Sequence, residues 1–184
     1  MFLKGVRSAL VNAEKLEDAV LGKDIPLHLF VDTHQKDGKI RLCLDFNEET
    51  LTVIEPLGDA FQKFDVSKKD LKDIMLYAFP KVIVNAFSLN MLDPEIVSID
   101  PQIEAIPVYK VQELLAGGFT SYIGYRDLAN IVSQELGIDV PYNRAHLTWK
   151  GDAVLIVTQY RGPRLPEGAT ELPQGAKIEY YLIY

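Results

Sequence analysis

Residues 81–90 carry the strongest constraint on the fold. Lys81-Val82-Ile83-Val84 is a short apolar run that opens directly after Pro80 and stops abruptly at Asn85. A run bounded in this way reads as a buried strand. Asn85, Ser88 and Asn90 then follow in quick succession. A strand that exits into closely spaced small polar side chains presents hydrogen-bonding groups at a sheet edge, where ligands of α/β proteins tend to lie. The same spacing also describes a turn whose Asn and Ser side chains satisfy their own backbone, and spacing alone favours that turn.

Composition narrows the class. At 184 residues the chain is one domain or two small ones, and 48% hydrophobic with 24% charged residues is the balance of an ordinary globular protein. No apolar run approaches the roughly 18 residues of a membrane span, and the start lacks a signal-peptide layout, so a cytoplasmic location is expected. The single Cys43 cannot form an internal disulfide, and three scattered histidines make a structural zinc site improbable. The net charge of −7 disfavours non-specific binding of long nucleic acid. A small anion needs only a local basic pocket, and four of the six arginines (Arg126, Arg144, Arg161, Arg164) fall in one stretch of the second half.

The pattern divides at Pro80, which disfavours a helix at Phe79. Residues 1–79 read as a small α-β-β-β-α domain. Val6, Leu10, Leu16 and Val20 suggest a helix over 6–21 closing on Gly22. Strands follow at 27–31, at 40–46 after the turn 35–38, and at 51–54 near Pro56. A last helix opens at Ser67 and Asp70 and carries Leu71, Ile74 and Met75 on one face. His28 and His34 read as structural or solvated, and nothing in this half indicates a function. Residues 80–184 read as an α/β domain with a small mixed sheet flanked by helices. Its strands are expected at 81–86, 103–108, 119–123, 144–149, 153–159 and 177–183, with helices at 108–116 and over Leu128, Ile131, Val132 and Leu136 to a Gly137 cap.

Several blocks in the second half recur in the right order. They are Asn85-Ala86-Phe87-Ser88-Leu89-Asn90-Met91-Leu92, Ile123-Gly124-Tyr125 before a helix, Asn143-Arg144, Gln159, and Arg164-Leu165-Pro166-Glu167-Gly168. Over about residues 81–184 this succession resembles the viral ring nucleases, anti-CRISPR proteins that bind and open cyclic tetra-adenylate, the second messenger of type III CRISPR systems. The resemblance implies a homodimer that binds a cyclic oligoadenylate across its two-fold axis, without metal or organic cofactor. It implies ligand contacts from Asn85, Ser88, Asn90, Gly124, Arg144, Gln159 and Arg164, and a catalytic role for Glu167 beside Arg164. Independently of the resemblance, the arginines suit phosphates through paired hydrogen bonds.

Two departures bear on the chemistry. Tyr160-Arg161-Gly162-Pro163 is an insertion relative to the family pattern and lengthens the loop that carries Arg164. Tyr125 stands where the family has a histidine that protonates the leaving 5′-oxygen as a ribose 2′-hydroxyl attacks the neighbouring phosphate. Phenols, with an ordinary pKa of about 10, are poor general acids at pH 7. His146 lies two residues after Arg144, so on a strand the two would share a face and His146 could supply the missing acid; a solvated histidine is the favoured reading. Three functions follow: slow metal-independent ring cleavage, a sponge that binds the ring uncut, or a sensing module in which the first half transmits occupancy.

Overall fold

Alternation, not helical spacing, governs the start of the chain. In the computed structural model, which describes residues 6–20, 39–45, 50–54, 61–65, 68–95 and 101–184, Val6–Asn12 forms strand β1. Leu10 is 52% exposed and Val11 only 1%, the period of two that a strand imposes. The expected helix over 6–21 is therefore corrected to a strand followed by helix α1, Ala13–Val20. Asn12 makes the switch: its Oδ1 accepts from the backbone N–H of Glu14 at 2.8 Å and of Lys15 at 3.3 Å, an N-cap that satisfies the first helical donors. Gly22, the strand expected at 27–31, the turn at 35–38, Pro56 and Ser67 lie outside the described residues.

The first unit continues with β2 (Lys39–Asp45), β3 (Thr50–Ile54), β4 (Phe61–Asp65) and helix α2 (Lys68–Ala78). The four strands form an antiparallel meander in the order β1-β2-β3-β4. Helices α1 and α2 pack together, burying Leu16 and Ala19 on one and Ile74, Met75 and Ala78 on the other. The sequence reading did not include β4, because Phe61-Gln62-Lys63-Phe64-Asp65 holds only two apolar residues. The unit is thus β-α-β-β-β-α among the described residues.

The chain divides into two units, β1 to α2 in one and the remaining elements in the other; Lys150–Ala153 is assigned with the first. The second unit is a mixed α/β fold, as expected. It comprises β5 (Lys81–Val84), a 3-10 turn (Leu89–Met91), β6 (Ile103–Ile106), α3 (Val108–Leu115), β7 (Thr120–Tyr122), α4 (Arg126–Leu136), β8 (Val154–Arg161) and β9 (Lys177–Ile183). Its sheet runs β6-β9-β8-β5-β7, with β7, β5 and β8 parallel and β8, β9 and β6 antiparallel. All four residues of β5 and the first five of β8 are buried, the near-continuous apolar signature of parallel strands covered on both faces. Each such aliphatic side chain contributes about 1.5–3 kcal/mol by leaving water.

Helix α4 buries Leu128, Ala129, Ile131, Val132 and Leu136 and ends at Gly137, whose φ of 64° is the left-handed cap that glycine adopts without strain. It contacts α3, and Gln112 Nε2 donates to the carbonyl of Leu136 at 2.9 Å. One expectation fails here. Residues 144–149 do not form a strand; an isolated bridge at Tyr142 precedes them and another at Trp149 ends them. Asn143 explains this, since its Oδ1 accepts from the N–H of Ala145 at 3.0 Å and folds the chain into a turn. Arg144 and His146 consequently lose the strand geometry that would have put them on one face.

Candidate functional site

Register brings the separated blocks to one edge. Val84 lies opposite Tyr122 on β7 and Val157 on β8, so β5 and β7 end level with one another beside the middle of β8, which runs on to Arg161. Asn85 and Ile123-Gly124-Tyr125 therefore emerge side by side at the carboxyl ends of β5 and β7, next to Thr158-Gln159 of β8, at the kind of edge where α/β sheets carry ligands. Hydrogen bonds fix the edge. Asn85 Oδ1 accepts from the Gly124 N–H at 3.1 Å, and the fully buried Thr158 donates its hydroxyl to the Val84 carbonyl at 3.0 Å. Asn143 donates Nδ2–H to the Ser121 carbonyl at 2.8 Å and its backbone N–H to Ile123 at 3.0 Å. This holds Arg144 against Gly124: a Cβ built on that glycine would lie 3.8 Å from Arg144 Cγ.

A cavity of about 950 Å³ opens at this edge, lined by Asn85, Tyr125, Asp127, Leu128, Gln159, Tyr160, Gly162 and Arg164 to Glu167. It stands near the upper end of the roughly 300–1,000 Å³ typical of small-molecule sites. Tyr125 is the N-cap of α4, is 66% exposed and makes no side-chain cap bond, and with Asp127 and Leu128 of the first turn it lines the cavity. An uncapped helix N-terminus favours an anion through its donors and dipole. The lining mixes the polar Asn85 and Gln159 and the cationic Arg164 with the apolar Leu128, Leu165 and Pro166, a combination suited to a ligand with both charged and flat apolar parts.

The expected site residues divide. Asn85, Tyr125, Gln159, Arg164 and Glu167 line the cavity; Gly124, bonded to Asn85, and Arg144, beside Gly124, adjoin it without being among its lining residues. Ser88, Asn90 and His146 are not among its lining residues. Ser88 caps the 3-10 turn, its Oγ accepting from the Asn90 N–H at 3.1 Å, which is the self-satisfying turn that spacing alone favoured. That turn is anchored by Trp149, whose backbone N–H donates to the Met91 carbonyl at 2.6 Å and whose ring packs edge-on against Phe87 at 5.8 Å. His146 is exposed and lies outside any strand.

Arg126 and Arg161 are engaged elsewhere. Arg161 donates Nε–H to Glu179 at 3.1 Å, and that hydrogen bond raises its pKa. Lys177, Arg161 and the Tyr181 hydroxyl together bring the Glu179 carboxyl from 4.5 down to about 2. Arg126 places its guanidinium 5.0 Å from the centre of the Tyr142 ring. The Tyr180 phenol is pushed well up by burial and by its 2.6 Å bond to Glu135. Among the described residues no group of three or more His, Cys, Asp or Glu is gathered to hold a metal ion, and no helix is long and apolar enough to cross a membrane. Sequence reasoning missed Asp127 and Tyr160, which line the cavity. The first-turn position of Asp127 in a recognisable helix was the available signal.

The family model for STIV B116-like proteins matches residues 81–182. The chain belongs to the STIV B116-like family. The match covers the second unit's elements from β5 through nearly all of β9, and so the whole candidate site. Among solved structures, B116 of Sulfolobus turreted icosahedral virus is similar, with 23% identity, a TM-score of 0.47, and coverage of 57% of this chain and 98% of that one. No curated protein matches the chain.

Proposed function

We propose that this STIV B116-like protein is of viral anti-CRISPR type: it binds a cyclic oligoadenylate, cyclic tetra-adenylate in the first instance, at the carboxyl edge of its second sheet and removes it from circulation. The observation that carries this reading is the convergence of four sequence-distant blocks on one cavity: Asn85, Tyr125, Gln159 and the Arg164–Glu167 loop. Arg164 supplies a planar fork of donors for phosphate, and the first turn of α4 lines the same cavity. A two-fold dimer would complete the site, because a symmetric ring is matched by a symmetric pair of half-sites.

Removal proceeds by sequestration, with slow cleavage at most. In ring opening the 2′-oxygen bonds to phosphorus, the P–O5′ bond breaks, and the products are a 2′,3′-cyclic phosphate and a 5′-hydroxyl that has gained a proton. Orientation of the 2′-hydroxyl and neutralisation of phosphate charge by Arg144 and Arg164 need no acid. Protonation of the leaving oxygen does, and that step contributes about 10²–10⁴-fold where an acid is in place. The sponge reading is favoured by Tyr125 occupying the helix N-cap at the cavity.

The test is calorimetry of the full chain with cyclic tetra-adenylate, followed by separation of intact and linear product without divalent metal. Arg164→Ala should weaken binding by about tenfold or more, since a charge-assisted contact is worth about 1.5–3 kcal/mol. Unchanged affinity in both Arg144→Ala and Arg164→Ala would overturn the assignment.

A further inference from the structure

Tyr160-Arg161-Gly162-Pro163, which the resemblance to the ring nucleases marks as an insertion, forms the end of β8 and the start of the loop that carries Arg164 and Glu167. Extra length would normally loosen a loop and cost ordering entropy when it closes on a ligand. Here the added residues are spent on tethers. Tyr160 donates its hydroxyl to the Pro163 carbonyl at 2.6 Å, just before Arg164. Gly162 makes that bond possible: a Cβ there would lie 2.6 Å from both the Tyr160 hydroxyl and the Ala176 Cβ. At the far end the Gly168 N–H donates to Asp127 Oδ2 on the first turn of α4 at 3.2 Å. Gly168 itself has a φ of 78°, which other residues rarely adopt, and Ala169 closes the turn onto the Pro166 carbonyl at 3.2 Å. Residues 163–168 are thus pinned at both ends, one pin on the β8 hairpin and the other on the helix whose N-terminus forms the cavity wall.

We infer that Asp127 and Tyr160 are positioning residues which hold Arg164 and Glu167 over the cavity before the ligand arrives. This rests on the proposed binding of a cyclic oligoadenylate and adds how the site is kept in register. The sign of the effect separates it from simple electrostatics. Asp127 is an acid at the wall of a site for an anion, so removing its charge should tighten binding if charge is all it contributes. As a tether, its removal should weaken binding, because the arginine then pays the cost of ordering on contact.

The experiment titrates cyclic tetra-adenylate into the native chain and into Asp127→Ala, Asp127→Asn, Tyr160→Phe, Arg164→Ala and the double variant Asp127→Ala/Arg164→Ala, at several salt concentrations. Asp127→Ala and Tyr160→Phe should each weaken binding about three- to tenfold, within the range of one lost contact and its ordering cost. Asp127→Asn, whose amide oxygen still accepts from Gly168, should bind as well as the native chain or better. The double variant should bind no more weakly than Arg164→Ala alone, since a residue acting through Arg164 has nothing left to act on. Asp127→Ala should also lower the slope of log affinity against log salt, as Arg164→Ala does by up to about 0.7 for one lost phosphate contact. Hydrogen exchange over 163–168 should quicken in Asp127→Ala while α4 keeps its protection, which shows that the variant is folded. Tighter binding by Asp127→Ala, or fully multiplicative losses in the double variant, would overturn the positioning role alone. Failure of the native chain to bind the ring at all would overturn the functional reading and this inference with it.

Discussion

Asn85 carries two duties, and one pair of substitutions separates them. Its Oδ1 accepts the Gly124 N–H at 3.1 Å, tying the end of β5 to the end of β7, and the same side chain lines the cavity. Asn85→Ala leaves the Gly124 donor without its partner in a half-buried place, which should lower the stability of the second unit by about 1–2 kcal/mol. Asn85→Asp keeps the acceptor and makes it charged, so stability at neutral pH should hold or rise. Toward ligand the order reverses. A carboxylate about 6 Å from a phosphate repels it by about 0.7 kcal/mol in bulk water and about 2.8 kcal/mol at an effective dielectric of 20. The affinity of Asn85→Asp for cyclic tetra-adenylate should therefore fall between about threefold and a hundredfold. Trp149 is the one tryptophan of the chain and is buried in the second unit, so its fluorescence during denaturant unfolding reads that unit directly. Calorimetry gives the binding. If Asn85→Asp is destabilised as much as Asn85→Ala, the Gly124 bond is not what Asn85 contributes; if it binds the ring as the native chain does, Asn85 does not face a phosphate.

Other consequences follow from the same geometry. Thr158→Val keeps shape but removes the buried hydroxyl that donates to Val84 at 3.0 Å, and should cost about 1–3 kcal/mol in the same unfolding assay, with the denaturant slope unchanged. The Glu179 carboxyl titrates lower in the folded chain, at about 2 against 4.5, so its contribution is present above pH 4.5 and is lost as pH falls toward 2. Glu179→Gln should flatten stability against pH across that window, by a small amount because the group is exposed, and an identical acid limb in both proteins would refute it. Tyr125→His should raise the single-turnover rate of ring opening while leaving affinity within a few-fold, and His146→Ala should change neither; a rate that falls in His146→Ala would place the acid at His146.

How much of this was legible depends on what each pattern encodes. The strand at 81–84 is visible because a parallel strand buried on both faces is apolar at successive positions, here Val82-Ile83-Val84 after Lys81, and it then ends at a sheet edge in Asn85. Helix α4 is visible because Leu128, Ile131, Val132 and Leu136 recur with the helix period and Gly137 supplies the stop. Residues 6–12 misled because Val6 and Leu10 are four apart, a helical spacing, while burial falls on Val11. The strand at 144–149 failed for a different reason. Asn143 commits its side chain to two backbone groups, and a turn built by one side chain leaves no periodic trace.

The site shows the same division between what is periodic and what is local. The residues of the Asn85, Tyr125, Gln159 and Arg164–Glu167 blocks are read as a set from their order along the chain, and strand register then explains why they meet. What order does not convey is the division of labour among them. Ser88 sits in the most distinctive phrase of the sequence, yet its hydroxyl accepts from Asn90 and shapes the turn that Trp149 holds in place. Asp127 belongs to none of the blocks, yet it reaches across to Gly168 and fastens the loop that carries the arginine. A site for a polyanion needs cations that are already in position, since a long side chain ordered only on contact gives up part of its binding energy to entropy. The residues that provide that order are a carboxylate and a phenol, types that composition would have set against an anionic ligand. Their contribution lies in hydrogen bonds to backbone at 3.2 Å and 2.6 Å, and only the folded chain brings those pairs together.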